Sequence, residues 1–402
     1  MFHKTTLGEL LADSGGSIKT GPFGTVLKAA EYSSSEGVPL ISVGEVGDGV
    51  LRVHRRTPRV DEAIVSRLPE YVLHRGDIVF GRKGAVDRSA WLRPHENGYF
   101  LGSDGIRVRF GKSVCSRFMA YQFRLPAVRQ WLLQHSAGTT MASLSQRVLE
   151  DLPVRVPDLV RQRQIAEVLG AIDDKIAGNE RVCDGIRDLS LTIFRRSTAD
   201  GLLVTVADIA RMVTRGVAPK YVDENGIVVL NQKCVRDQVI SLAPARLTAR
   251  LMGRTEKILR RNDVVVNSTG QGTLGRVARW LHDIEATVDS HITIVRFDPS
   301  LIDPVCAGYA LQECENLIEG LAEGSTGQTE LRRDLLAAIS IAVPERDVQG
   351  SLGERLRDFD DLAMHLRAES QRLAATRNEL LPLIMSGRIQ VRDSEKVVEE
   401  VV

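Results

Sequence analysis

The chain repeats itself at a constant offset, and any fold it adopts must accommodate the same plan twice. Residues 144–157 (LSQRVLEDLPVRVP) return as residues 331–344 (LRRDLLAAISIAVP), and a helical pattern follows each copy. Upstream, residues 72–92 (VLHRGDIVFGRKGAVDRSAWL) return more loosely as residues 258–281 (ILRRNDVVVNSTGQGTLGRVARWL). A chain ordered as globular part, long helix, globular part, long helix is a pseudo-twofold internal repeat. Such a molecule suits a target that also has two halves.

Hydrophobic spacing gives the elements. Residues 38–43 and 77–80 are short apolar runs that stop at glycine, and residues 105–110 alternate apolar with basic, as half-buried strands do. Residues 116–135 read as one helix, with Phe118, Tyr121, Leu125, Val128 and Leu132 on a face. A turn at Gly138, a short helix from Leu144 to Leu149 and a strand closed by Pro157 follow. From Arg161 the period becomes heptad: Ile165, Leu169, Ile172, Ile176, Asn179, Cys183, Ile186, Ser190 and Ile193 form a seam. The second copy supplies Leu352, Leu356, Phe359, Ala363, Leu366, Ser370, Leu373, Arg377 and Leu380 at the same phase. Each seam demands a partner, most simply the other helix. Because each helix follows an equivalent globular part, a twofold arrangement makes the pair antiparallel. Asn179 on the seam either sets register through a polar contact or faces water.

The expected fold class is α/β, of the α+β kind: two globular domains joined by two long antiparallel helices forming a coiled coil. The expected boundaries are residues 1–157, 158–200, 201–344 and 345–390, with a frayed acidic tail over 391–402. No run of about 18 apolar residues exists, so no membrane span is expected. The first residues lack an apolar core, so no secretory signal is expected. The five cysteines form no C-x-x-C pair, which fits a reduced, cytoplasmic protein.

Net charge is only +1, yet it is unevenly spread. Residues 1–157 carry 21 Lys and Arg against 15 Asp and Glu, and residues 206–297 carry 14 against 9. Residues 298–343 reverse the balance, with 2 against 8. Locally positive parts suit a polyanion, although a solvated surface can carry the same imbalance.

No catalytic constellation stands out. There is no G-x-x-x-x-G-K-[ST] phosphate loop, no Asn-Pro-Pro-aromatic string, no Gly-x-Ser-x-Gly elbow and no Cys/His ligand cluster. Asp289-Ser290-His291 reads better as satisfied polar residues at the start of a strand. The Gly-rich loops at 81–84 and 267–275 lack a dinucleotide fingerprint. They make better sense as readers of DNA. Glycines let the backbone approach, and Arg82 and Lys83 project from a strand end. Arginine can bind guanine bidentately, and lysine can neutralise phosphate. In the second loop Asn267, Ser268, Thr269 and Gln271 are candidates, the amides for adenine, with Arg276 close by. Lys19, Thr20, Arg52, Arg55 and Arg56, and Arg246 and Arg250 with Arg254, are further candidates to track phosphates. The competing reading for all of these is solvated loops and faces.

At this point residues 19–24 (KTGPFG), 37–41 (GVPLI) and 75–85 (RGDIVFGRKGA) resemble a target recognition domain of type I restriction–modification specificity subunits. Residues 162–176 (QRQIAEVLGAIDDKI), continuing through Asn179, resemble that family's central helix. The resemblance spans about residues 5–390. It departs in the second half, where TRGVAP at 214–219 stands in place of Gly-Pro-Phe-Gly, and at the helix starts. What the resemblance implies is a non-catalytic subunit. Each recognition domain would read half of a gapped double-stranded DNA target, and the helices would act as a ruler. Two copies of an adenine-N6 methyltransferase subunit would dock, and an ATP-dependent endonuclease could join. S-adenosylmethionine would belong to the methyltransferase, with no cofactor bound by this chain. Two rivals remain: a nucleotide-binding enzyme using the Gly-rich loops, and a coiled-coil scaffold that reads no DNA.

Overall fold

Short runs of Val, Ile and Phe that end at glycine or at a charged turn become the central strands of two sheets with the same strand order. The computed structural model describes residues 2–33, 36–54, 57–138, 141–251, 253, 255–321 and 330–390. The expected tail over 391–402, and Arg55, Arg56 and Arg254, lie outside the described residues. The chain divides into two units, residues 1–177 with 370–402, and residues 178–369. Both long helices therefore contribute a segment to each unit.

In the first unit the strands are β1 (His3–Thr6), β2 (Ser17–Thr20), β3 (Val38–Ile41), β4 (Arg59–Val60), β5 (Ile78–Gly81), β6 (Ser89–Trp91), β7 (Phe100–Leu101), β8 (Gly105–Arg109) and β9 (Pro153–Val156). They form an antiparallel sheet β2-β8-β5-β6, a sheet β4-β3-β7 in which β3 and β7 are parallel, and a β1-β9 pair. The second unit has β10 (Leu202–Thr205), β11 (Ala210–Arg215), β12 (Ile227–Leu230), β13 (Val235–Arg236), β14 (Val239–Ile240), β15 (Arg246–Thr248), β16 (Val264–Asn267), β17 (Val277–Arg279), β18 (Ala286–Val288), β19 (Ile292–Phe297) and β20 (Ser340–Val343). Its sheets are β11-β19-β16-β17, β15-β12-β18 with β12 and β18 parallel, and β10-β20. One hairpin, β13-β14, is added. The repeat seen in sequence is thus a repeat of topology.

An ion pair is repeated with it. Asp77, before β5, takes both Nε and Nη2 of Arg109 on β8 at 2.7 Å, and its carboxylate also accepts the His74 amide. Asp263, before β16, takes Nε and Nη2 of Arg296 on β19 at 2.8 and 2.6 Å, and accepts the Arg260 amide. Both carboxylates are buried, and bidentate geometry with a third donor satisfies them there.

The stretch 116–135 is two helices rather than the expected one, Ser116–Phe123 and Pro126–His135. Pro126 explains the break: proline disfavours the α conformation in the residue before it, and Leu125 is extended with ψ 136°.

The first long helix runs Leu159–Ser197, begun by Asp158, whose carboxylate accepts the Arg161 amide at 2.9 Å. The second runs Arg346–Ser386. In the first unit Ile165, Leu169 and Ile172 are fully buried in one core with Leu373, Leu380 and Ile384, and Ile176 packs half-buried at its edge. In the second unit Phe194 shares a core with Leu352 and Leu356. Cys183 there faces the Ala363 carbonyl. Within each unit the two segments therefore pair antiparallel. Asn179 is buried, and its Nδ2 donates to Glu369 at 2.6 Å and to the Leu366 carbonyl at 3.4 Å, which makes it a polar contact of the seam.

Three seam positions depart from the expectation. Phe194 is buried where Ile193 is expected, and Phe359 and Leu366 are only half-buried while Asp360 is inside. An unsupercoiled α-helix drifts by about 20° per heptad against a strict heptad repeat, so at Phe194, late in the first seam, the buried edge has moved to the adjacent residue. Asp360 is instead held inside by Arg279 and Tyr309.

Asp173 lies beside the seam in the first unit, next to Ile172. Its carboxylate receives Tyr121 Oη at 2.7 Å, Arg124 Nη1 at 3.1 Å and Arg377 Nη1 at 2.5 Å. Burial alone raises an acid's pKa, but Arg124 and Arg377 outweigh it and hold Asp173 below the usual carboxylate range. A depressed folded pKa stabilises the fold above the unfolded pKa of about 3.9, and that stability is lost as pH falls through the folded value. Asp173→Asn is therefore expected to cost roughly 3–5 kcal/mol at neutral pH. The gap from the unsubstituted protein should close as pH drops below about 4 in urea unfolding series. A gap that stays constant with pH would refute this account.

Candidate nucleic-acid interface

Each central sheet sends out a Gly-rich loop from the same place. In the first unit β5 ends in Gly81, and the turn Arg82-Lys83-Gly84 follows. Two neighbouring segments hold it. The Arg82 amide donates to the Asp104 carbonyl at 2.8 Å, the Leu144 amide donates to the Arg82 carbonyl at 2.8 Å, and the Gly84 amide donates to the Ala142 carbonyl at 2.8 Å. Glycine is required at both ends. A Cβ at Gly81 would stand 2.6 Å from the Ala85 carbonyl oxygen, and Gly84 has φ +73°.

The side chains of this turn are partly committed. Arg82 is half-buried, donates through Nη1 to the Ser103 carbonyl at 3.2 Å, and lies 5.4 Å from the ring of Phe23. Lys83 is exposed and pairs with Asp104 at 3.1 Å. On β2, Lys19 lies 4.9 Å over the Tyr71 ring, and Thr20 Oγ1 accepts from Gln146 at 2.8 Å. Arg52 is exposed on its own loop. The structure thus brings Arg82 and Lys83 together at a projecting turn, with Phe23 beside them. Phe23 is 59% exposed and is absent from the sequence candidates; an aromatic inside a Gly-Pro-Phe-Gly turn was the available signal.

The second unit corrects the reading of its loop. Asn267 is fully buried, and its Nδ2 donates to the Gln232 and Thr273 carbonyls at 3.0 Å each. It ties the loop's two ends together and offers no edge to a base. Ser268 is also buried, with its Oγ 2.6 Å from Thr293 Oγ1. Thr269 is engaged by Gln232 and by His291 Nδ1 at 2.8 Å. Arg276 turns back under the loop and donates to the Gly272 carbonyl at 2.8 Å. Of the residues proposed in this loop, Gln271 alone stands exposed at its tip. The Asn267 Nδ2 is thus used up by the backbone, while its Oδ1 is buried without a hydrogen bond within the protein.

Asp289 accepts the His291 amide at 2.9 Å, and burial pushes its carboxyl upward against that bond and the nearby His291. With His291 held by Thr269, this pair reads as the ordered start of β19. Elsewhere Arg246 lies 3.5 Å over the exposed ring of Tyr221, and Arg250 pairs with Glu285 at 2.8 Å. Among the described residues no group of His, Cys, Asp and Glu could hold a metal ion, and all five cysteines are free thiols.

Part of the sequence matches a known domain family. Residues 22–186 fit the family model described as the type I restriction modification DNA specificity domain. That stretch of the chain is similar to the specificity domain. It is 21% identical over 350 residues to the type I restriction enzyme MjaVIII specificity subunit of Methanocaldococcus jannaschii, covering 75% of this chain and 79% of that one. A second relative from the same organism, the putative MjaX specificity subunit, is 18% identical and covers 97% of both chains. The fold is similar to the crystal structure of the type I restriction–modification S subunit from M. genitalium. That match has a TM-score of 0.57, 13% identity and 96% coverage of both chains. The specificity-domain match includes the Arg82 turn and the start of the first long helix, and the internal repeat carries the same strand order into the second unit.

Asn267→Ala is expected to destabilise the second unit by roughly 1–3 kcal/mol through its lost buried hydrogen bonds. Gln271→Ala should stay within about 0.5 kcal/mol of the unsubstituted protein. Parallel urea titrations check both, and equal effects of the two substitutions would return Asn267 to the list of exposed readers.

Proposed function

We propose that this chain is the DNA-reading specificity subunit of a type I restriction–modification complex, recognising a bipartite, gapped duplex target. The observation that carries the reading is the duplicated sheet, from which a different Gly-rich loop projects in each unit. Arg82 and Lys83 stand at one tip and Gln271 at the other. Two equivalent frames with unlike tips suit two unlike half-sites. Positive loops dock on phosphates, and a few side chains read base edges in the major groove.

The long helices act as the ruler between half-sites. Chemistry belongs to the partners: two copies of an adenine-N6 methyltransferase subunit that bring S-adenosylmethionine, and an ATP-dependent endonuclease where cleavage occurs. The chain itself is non-catalytic, binds no cofactor and works in the cytoplasm. Among the described residues no helix is long and apolar enough to cross a membrane.

Methylome sequencing of cells expressing the chain with its methyltransferase partner tests this directly. The expected result is a gapped N6-methyladenine motif that disappears when the chain is absent. An active partner that yields no chain-dependent motif would reject the reading in favour of a scaffold.

Arg82→Ala in the same complex should weaken DNA binding by roughly 1–3 kcal/mol and relax base preference in one half-site only. A uniform loss on all sequences, read by competition binding, would make Arg82 a phosphate contact instead.

A further inference from the structure

Each unit seats a short helix against a long one through the same pair of polar contacts. In the first unit the amide of Cys115, at the head of helix Ser116–Phe123, donates to Gln162 Oε1 at 2.9 Å. Gln162 Nε2 in turn donates to the Pro157 carbonyl at 2.9 Å. Near the other end of the same short helix, Tyr121 Oη donates to Asp173 at 2.7 Å. In the second unit the Asp303 amide, at the head of helix Pro304–Glu313, donates to Gln349 Oε1 at 3.1 Å. Gln349 Nε2 donates to the Pro344 carbonyl at 2.8 Å, and Tyr309 Oη donates to Asp360 at 3.0 Å.

On the long helices Gln162 corresponds to Gln349 and Asp173 to Asp360 at the offset of the internal repeat, and the tyrosines keep that offset to within a single position. In each long helix about three turns separate the Gln from the Asp, so the two share a face. The seat also reaches the strand that leaves each Gly-rich loop. In the first unit Trp91 on β6 donates from Nε1 to Ser116 Oγ at 3.1 Å. In the second, Arg279 on β17 donates to Asp360 at 2.7 Å and lies 4.2 Å from the Tyr309 ring.

The two seats differ in how fully the carboxylate is satisfied. Asp173 engages both oxygens with three donors. At Asp360 both Tyr309 and Arg279 meet Oδ1, whereas Oδ2 and Arg279 Nη1 are buried and make no hydrogen bond within the protein. They border a cavity of about 70 Å³. The position equivalent to Arg377 in the repeat is Ser190, which brings no second guanidinium.

We propose that Tyr121 and Tyr309 are positioning residues that fix each recognition loop's domain on its long helix, and thereby set which spacer between half-sites is accepted. This rests on the reading of the chain as a bipartite-target specificity subunit. Removing one hydroxyl leaves the ring in its core and the glutamine contact in place, so the domain stays folded but is held less tightly at the carboxylate end of the seat. The second seat is the more sensitive one, because Asp360 would keep only Arg279, whereas Asp173 would keep Arg124 and Arg377.

The test is methylation by the complete complex of a target library in which both half-sites are constant and the spacer varies by one base pair either side. With Tyr309→Phe, methylation at the off-length spacers, relative to the preferred one, should rise at least fivefold, with the half-site bases unchanged. Tyr121→Phe should give a smaller rise. Unchanged spacer discrimination in both tyrosine variants, an equal loss at every spacer, or a larger effect at Tyr121 would overturn the proposal. If the unsubstituted complex shows no spacer-dependent motif at all, the functional reading itself fails, and the proposal falls with it.

Discussion

A buried carboxylate gripped by the guanidinium of a neighbouring strand anchors each half of this protein. Asp77 with Arg109, and Asp263 with Arg296, fasten the turn before a central strand to the strand beside it. Without that grip, β5 and β16 could slide, and a slip of one residue would turn every side chain to the opposite face. The Gly-rich loops leave the far ends of those same strands. The placement of Arg82, Lys83 and Gln271 is therefore inherited from an ion pair on the other side of the sheet. Replacing one partner alone would strand a charge inside, which is why both members stand in both halves.

Much of the architecture was legible because it is written twice. The heptad seams and the apolar runs gave the long helices and the central strands, and the constant offset gave their equivalence. The single helix expected over 116–135 failed at Pro126, where a local backbone rule overrides a continuous apolar face. The seam ran one residue off at Ile193 because helical and heptad periods differ slightly, an error that grows with length.

The candidate interface was less legible, and Asn267 shows why. Composition marks an amide after a strand as a base reader, yet nothing local tells whether it faces out or ties a loop shut. That depends on Gln232 and Thr273, one distant in sequence and one across the loop. The seat residues were open to a different method. Gln162 with Gln349, Asp173 with Asp360, and Tyr121 with Tyr309 are identical pairs in the two copies, and polar identity inside an otherwise drifted repeat marks a contact made twice.

The cations of the proposed DNA face are largely occupied at home. Lys83 faces Asp104, Arg250 faces Glu285, and Arg246 stacks on Tyr221. A phosphate that engages Lys83 or Arg250 has to replace a carboxylate of the protein, so the exchange is partly ion for ion within the molecule. Counterion release from DNA, the term that drives indiscriminate binding, is then offset in part by the carboxylates set free to gather cations of their own. On the proposed reading, such cations would hold random duplex weakly for their number and leave discrimination to the contacts that only the right bases can complete.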